Sequence, residues 1–108
     1  MATANILVPR NAIRAGDVIL LKTIISHPME TGYRRNETGG EIPRNIIRRM
    51  ICRYDGQEVF SVEMHQAIAA NPFMAFSLVA TKSGPVEIEW VGDHGFSHRQ
   101  SAQITVTG

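Results

Sequence analysis

The residue types best suited to chemistry lie close together in ISHPMETGYRR, residues 25–35. The imidazole of His27 and the thioether of Met29 would suit copper, because its reduced form accepts soft ligands. A metal site, however, needs three or four convergent groups. No HxxxH, HExxH or CxxC spacing connects this stretch with the other three histidines. We therefore favour a structural or surface role for His27 over metal binding.

Nucleophilic or acid–base catalysis has no clear signature in the sequence. No serine occupies a G-x-S-x-G elbow, and Cys52 falls inside a predicted strand, where an activated thiolate is not expected. As the only cysteine, Cys52 cannot form an internal disulfide, and it is expected to be a small buried hydrophobe. Glu87 and Glu89 alternate with apolar residues and indicate a solvated strand face.

Arginine is concentrated in one third of the chain, although the net charge of the protein is only +1. That low net charge argues against nucleic-acid binding driven by overall charge. Arginine is favoured at protein interfaces and at anion sites, so the cluster is either a solvated strand face or a surface that meets a partner or an anion. The cluster comprises Arg34, Arg35, Arg44, Arg48, Arg49 and Arg53.

The elements that must position these residues are short apolar segments separated by turn signals such as RAGD, YDGQ and KSGP. Segments of this kind, rich in Val, Ile, Thr and Phe, predict an all-β sandwich of about seven strands. The length of 108 residues suits a single domain, residues 1–108. The predicted strands are Asn5–Val8, Val18–Ser26, Asn45–Tyr54, Glu58–Met64, Ala75–Thr81, Val86–Val91 and Ser97–Thr107.

Two of these segments carry strong local signals. In VEIEW, the alternation places Val86, Ile88 and Trp90 on one face, so Trp90 is expected to anchor the core. The Asp-Gly pair in YDGQ predicts a tight hairpin. A basic amphipathic helix is the alternative for residues 45–54, because the apolar residues recur there at helical spacing. We favour a strand, and we expect a helical turn in HQAIAANP, before Pro72.

The chain is not expected to cross a membrane. The longest apolar run, Val18–Ile25, is interrupted by Lys22 and is too short to span a bilayer. The first residues lack the basic and apolar regions of a secretory signal, so the sequence by itself indicates a cytosolic protein.

Several motifs taken together resemble one family. The order ISHPMETG, GGEIPRNII, CRYDGQEVFSVE, AIAANPF and EWVGDHG is similar to that of the SoxZ family of the sulfur-oxidation system. The likeness runs from about residue 6 to residue 106. One departure concerns the run of acids that the family often has after the tryptophan, because only Asp93 remains here, followed by His94.

The resemblance implies an immunoglobulin-like β-sandwich that acts as a non-catalytic subunit. It implies pairing with a SoxY subunit, whose C-terminal cysteine arm carries the sulfur substrate during thiosulfate oxidation, and transient contact with other Sox enzymes and cytochromes. No cysteine follows Cys52, so we do not expect this chain to bear the arm. No cofactor is implied. Co-export with SoxY implies a periplasmic location, where Cys52 could form an intersubunit disulfide.

The residues expected to face the partner or an anion follow from this assignment. We expect the arginines to attract acidic partner surfaces or an anionic sulfonate cargo. The candidates are His27, Met29, Glu30, Arg34, Arg35, Arg44, Arg48 and Arg49.

An alternative of another class is a superoxide reductase-like iron protein. That family is also immunoglobulin-like and has a His-Pro-Met stretch in which the histidine binds iron, as in residues 27–29 here. Its Cys-Asn-x-His-Gly motif is only faintly echoed by Asp93-His94-Gly95, and Val91 stands where the cysteine ligand would be. The ligand set is therefore incomplete, and we favour the SoxZ resemblance.

Overall fold

The computed structural model describes residues 3–9, 12–27, 29–33, 35, 37–64 and 70–107. Within these ranges the regular structure consists of nine β-strands and one short 3-10 turn, Asp93–Gly95. The strands are β1 (Ala4–Leu7), β2 (Ile13–Arg14), β3 (Val18–Ile25), β4 (Ile47–Tyr54), β5 (Gln57–Glu63), β6 (Phe73–Val79), β7 (Gly84–Gly92), β8 (Ser97–Ile104) and β9 (Val106–Thr107). Six of the seven predicted strands are present as single strands, with ends that differ by a few residues. The predicted strand Ser97–Thr107 is divided into β8 and β9, and β2 was not predicted.

The strands form two antiparallel sheets that pack face to face. One sheet has three strands in the order β1-β3-β6, and the other has four in the order β5-β4-β7-β8. The two-residue strands β2 and β9 form a separate parallel pair. The predicted all-β sandwich is confirmed.

The core lies between the inner faces of the two sheets. Strand β3 alternates strictly between exposed and buried positions, and β7 buries Val86, Ile88 and Trp90. Trp90 is only 1% exposed, so its predicted role as a core anchor is confirmed. The one buried hydroxyl on β3, that of Thr23, donates to the carbonyl of Met74 at 3.0 Å. That bond offsets the cost of burying a polar group.

The hairpin between β4 and β5 turns at the predicted Asp-Gly pair. Asp55 and Gly56 have positive φ values of 51° and 84°. A two-residue hairpin turn of the primed type needs positive φ at both central positions, and Asp-Gly tolerates it well. This turn fixes the register of β4 against β5.

A β-bulge in β4 explains why the apolar residues of this strand recur at helical spacing. The pairing with β7 shifts between Ile47 and Arg49, so Arg48 is an extra residue in a β-bulge. The bulge lets Ile47 and Met50, three positions apart, both point inward at 0% exposure. Spacing of three is the helical signal, but here it arises from a strand with one inserted residue. The preference for a strand in this segment is confirmed.

The helical turn expected in HQAIAANP falls largely on residues 65–69, which lie outside the described residues. Among the residues that are described, no helix has the length and apolar character needed to cross a bilayer.

Candidate functional site

His27 and Met29 are buried, and their side chains accept hydrogen bonds from nearby backbone N–H groups. Each is 4% exposed. Nδ1 of His27 accepts the backbone N–H of Met29 at 3.0 Å, and the sulfur of Met29 accepts the N–H of Ile47 at 3.2 Å. Because Nδ1 accepts a hydrogen bond, the imidazole is neutral, and desolvation by burial lowers its pKa, with a smaller opposing effect from Asp93. These contacts give both side chains a structural role.

The remaining candidates in this loop take different positions. Glu30 is half-buried and pairs through its backbone with Asn45, with both N–H···O distances at 2.8 Å. Arg35 is exposed and donates to the carbonyl of Gly39 at 2.9 Å. Arg34 lies outside the described residues, so its expected role stays a prediction.

The other three arginine candidates lie around one end of β4, two of them bound to the carboxylate of Asp93. Arg44 donates through Nε and Nη2 to the two oxygens of Asp93, each at 2.8 Å, and Nε of Arg48 lies 3.4 Å from the same carboxylate. The backbone N–H of Ile46 adds a bond of 3.1 Å. These donors, Arg44 foremost, lower the pKa of Asp93, so its carboxylate stays ionised.

Two backbone features bring the arginines close to Asp93. The bulge at Arg48 turns two consecutive side chains, Arg48 and Arg49, toward the outside instead of onto opposite faces. At Gly92, a Cβ would lie 2.5 Å from the carbonyl oxygen of Ile46, so only glycine allows the end of β7 to approach this closely. The close approach sets the N–H of Asp93 against that same carbonyl at 2.9 Å.

The arginines border an open cleft of about 480 Å³. Its apolar lining comes from Ile46, Met64 and Val91, and Glu63 adds one carboxylate. Asp93 adjoins it through its bonds to Arg44 and Arg48. We call this the arginine cleft, formed by Arg44, Ile46, Arg48, Arg49, Glu63, Met64 and Val91.

Cys52 lies on the inner side of β4 and is 0% exposed. Burial raises the pKa of its thiol to about 11, so the reactive thiolate is scarce at neutral pH. A sulfur in this position cannot reach a second chain without opening of the sandwich. The position of Cys52 agrees with the expectation that it is a small buried hydrophobic residue. It offers no support for an intersubunit disulfide.

A second candidate surface is the outer face of the three-stranded sheet, which is unusually apolar. Cross-strand pairs Val18–Val79 and Ile24–Phe73 both point outward there. This apolar face contains six large exposed side chains, Leu7 (58%), Val18 (69%), Leu20 (47%), Ile24 (40%), Phe73 (58%) and Val79 (51%). Large exposed apolar side chains gathered on one face of a sheet make that face a candidate interaction site.

The outer face of the four-stranded sheet contrasts with it. Arg53 lies 2.9 Å from Glu89, and Arg99 lies 3.3 Å from the other oxygen of the same carboxylate. Both arginines also approach Glu87, at 3.3 Å and 3.7 Å. The hydrogen bond from Arg53 lowers the pKa of Glu89. This face is therefore charge-paired and suited to water.

Sequence reasoning missed the apolar face and the partnership of Asp93 with the arginines. The signal for the face was present, because VILLKTII carries large apolar residues at both odd and even positions. Apolar residues on both sides of a strand are typical of strands that are buried on both faces, so this pattern could have indicated a second apolar face. No local signal links Asp93 to Arg44, which lies 49 residues earlier.

Comparison with known families decides the assignment of the chain. Residues 8–103 match the family model described as sulphur oxidation protein SoxZ. The chain belongs to the SoxZ family. The resemblance drawn from the sequence motifs is thereby confirmed, and a role in the sulfur-oxidation system follows for this SoxZ-family chain. No curated protein gave a significant match.

Solved structures similar to this SoxZ-family chain include superoxide reductases. The superoxide reductase (neelaredoxin) from Ignicoccus hospitalis superposes with a TM-score of 0.72 at 18% identity, covering 97% of this chain and 80% of that one. A candidate superoxide reductase from Thermotoga maritima gives a TM-score of 0.67 at 16% identity, covering 97% and 86%. At such low identity the likeness shows a shared fold.

The geometry of His27 bears on the iron-protein alternative. Its Nδ1 already accepts the N–H of Met29, and its ring packs edge-on against Phe96 at 4.8 Å between centroids. Within the described part of the chain, no group of three or more His, Cys, Asp or Glu side chains could hold a metal ion.

Proposed function

We propose that this chain is the non-catalytic subunit of a sulfur carrier and pairs with a SoxY-like subunit through the apolar face. The partner would carry the sulfur substrate on its cysteine arm, and the pair would meet other Sox enzymes and cytochromes transiently. The observation that carries the proposal is the row of large apolar side chains left exposed on one sheet. The role requires neither a catalytic residue nor a cofactor in this chain.

The dimensions of the apolar face suit the centre of a subunit interface. Eight residues of β3 extend over roughly 26 Å, and three strands extend over roughly 10 Å between their axes. A typical interface covers about 800 Å² per partner, with an apolar core inside a polar rim. The face supplies such a core, while Asn5, Lys22 and Ser77 add polar groups among the apolar residues.

Co-expression with a SoxY-like subunit tests the proposal directly. We expect the two chains to elute together in size-exclusion chromatography and to contain no stoichiometric iron. Leu20→Lys and Phe73→Lys should release the partner, because each places a charge in the apolar contact. Both side chains point outward, so the variants should keep the fold, as checked by thermal unfolding.

Ser101→Lys is the matched control, since Ser101 is exposed on the outer face of the four-stranded sheet. It should leave the complex intact. Separate elution of the unmodified chains, or an iron-loaded chain that reduces superoxide, would refute the proposed function. If the complex forms and both lysine variants still bind the partner, the apolar face is not the interface.

A periplasmic location is part of the same proposal. The SoxY-like partner would supply the export signal for both chains. Fractionation of cells should then find this chain in the periplasm only when the partner is produced with its signal. Export in the absence of the partner would contradict this route.

A further inference from the structure

The arginine cleft carries an excess of positive charge. Three guanidinium groups border it, while Asp93 and Glu63 are the carboxylates at its edge. Arg49 has its nearest ion pair with Glu58 at 4.0 Å, which is the limit for such a contact. The three arginine side chains remain 45%, 55% and 49% exposed. Their charges are therefore only partly neutralised within the protein.

Two of the three guanidinium groups, those of Arg44 and Arg48, are also held by Asp93 before any ligand binds. Asp93 occupies Nε and Nη2 of Arg44 and lies near Nε of Arg48. Each guanidinium has five N–H donors, so the contact of Nε with Asp93 does not use all the donors of Arg48. Holding the side chains in place lowers the entropy that binding would otherwise cost. Asp93 and Arg44 thus position the site, and Arg48 and Arg49 provide its binding groups.

The cleft is large enough to admit a small hydrated anion, because its volume is about 480 Å³. Forked guanidinium groups match the oxygen atoms of tetrahedral oxyanions through paired hydrogen bonds. The chain belongs to a sulfur-oxidation family, and the oxidised forms of sulfur in water at neutral pH are oxyanions.

We propose that the arginine cleft binds a sulfur oxyanion, with Arg48 and Arg49 contacting its oxygen atoms. The group can belong to a free anion such as sulfate or thiosulfate, or to the sulfonate end of a larger molecule. This inference depends on membership of the SoxZ family and not on the proposed docking of a partner. It is therefore tested with this chain alone.

An NMR titration of the isolated chain at constant ionic strength provides the test. Sulfate, thiosulfate and methanesulfonate are the probes, with acetate and chloride as comparison anions. We expect saturable shifts centred on residues 44–49, 63–64 and 91–93. Methanesulfonate binding more tightly than sulfate would identify a sulfonate end as the ligand, and the reverse order would identify a free anion.

Variants separate a built site from general attraction of anions. Arg48→Gln combined with Arg49→Gln should weaken binding at least tenfold. Lys82→Gln is the control, because Lys82 pairs with Asp55 at the opposite end of β4 and should leave binding unchanged. Shifts spread over all basic residues, equal binding of acetate and chloride, or equal losses in both variants would overturn the proposal.

Discussion

Arg44 and Asp93 lie 49 residues apart and are joined by two hydrogen bonds of 2.8 Å. The pair ties the loop before β4 to the turn after β7. His94, which follows Asp93, strengthens the tie through a contact of 2.8 Å between its Nε2 and the carbonyl of Arg44. This connection holds the arginine cleft in shape.

Asp93→Asn should lower stability by about 1 kcal/mol, because it removes charge-assisted bonds from a carboxylate that is 12% exposed. The lowered pKa of Asp93 means that its contribution is present at neutral pH and is lost as pH falls below the ordinary value of 3.8. Urea unfolding at pH 7 and pH 3 should therefore show a smaller difference between the two proteins at pH 3. Glu58→Gln, at an exposed and weakly paired position, is the control and should change little.

Gly92→Ala should destabilise the protein by roughly 1–3 kcal/mol, because the added methyl group would lie 2.5 Å from the carbonyl oxygen of Ile46. Backbone movement to relieve this clash would displace Asp93 from Arg44. Denaturant unfolding measures the loss, and Ser97→Ala, at an exposed site nearby, should be close to neutral. If Gly92→Ala were as stable as the unmodified protein, the backbone at Gly92 would not lie as close to the carbonyl of Ile46 as the structure indicates.

His27 should make the protein less stable in mild acid. Its pKa is lowered in the folded state from 6.5, so the unfolded chain binds the proton more readily. Stability is then complete above pH 6.5 and falls as pH decreases toward the folded-state pKa. His27→Asn keeps an acceptor near the N–H of Met29 and removes this titration. Unfolding between pH 7.5 and 5 should show a steeper loss for the histidine protein, and equal slopes would contradict the assignment.

Cys52 should be inert in the native protein. With a pKa raised to about 11 and no exposed surface, its thiol should react with a thiol reagent at pH 8 only when the chain unfolds. The reaction should become rapid in 6 M guanidinium. Fast labelling of the folded chain, or a disulfide-linked band with the partner on a non-reducing gel, would refute the burial of this sulfur.

The apolar face shows how tertiary structure changes the meaning of a sequence pattern. Leu20 and Leu21 are neighbours of equal hydrophobicity, yet Leu21 is fully buried and Leu20 is 47% exposed. Hydrophobicity predicted a strand for both but did not distinguish the core side of the strand from its exposed side. Only the position of the second sheet, which covers one side of β3, makes that distinction.

The sequence by itself determined the strands, the hairpin turn and the core tryptophan. These depend on local rules, since side chains alternate along a strand and Asp-Gly accommodates positive φ. It also determined the family, because several motifs occur in a fixed order. Only the tertiary structure decided that Arg48 bulges, that Arg44 meets Asp93 and that one sheet keeps an uncovered apolar face. Each of these depends on pairing between distant strands, and the local pattern of residues does not specify that pairing.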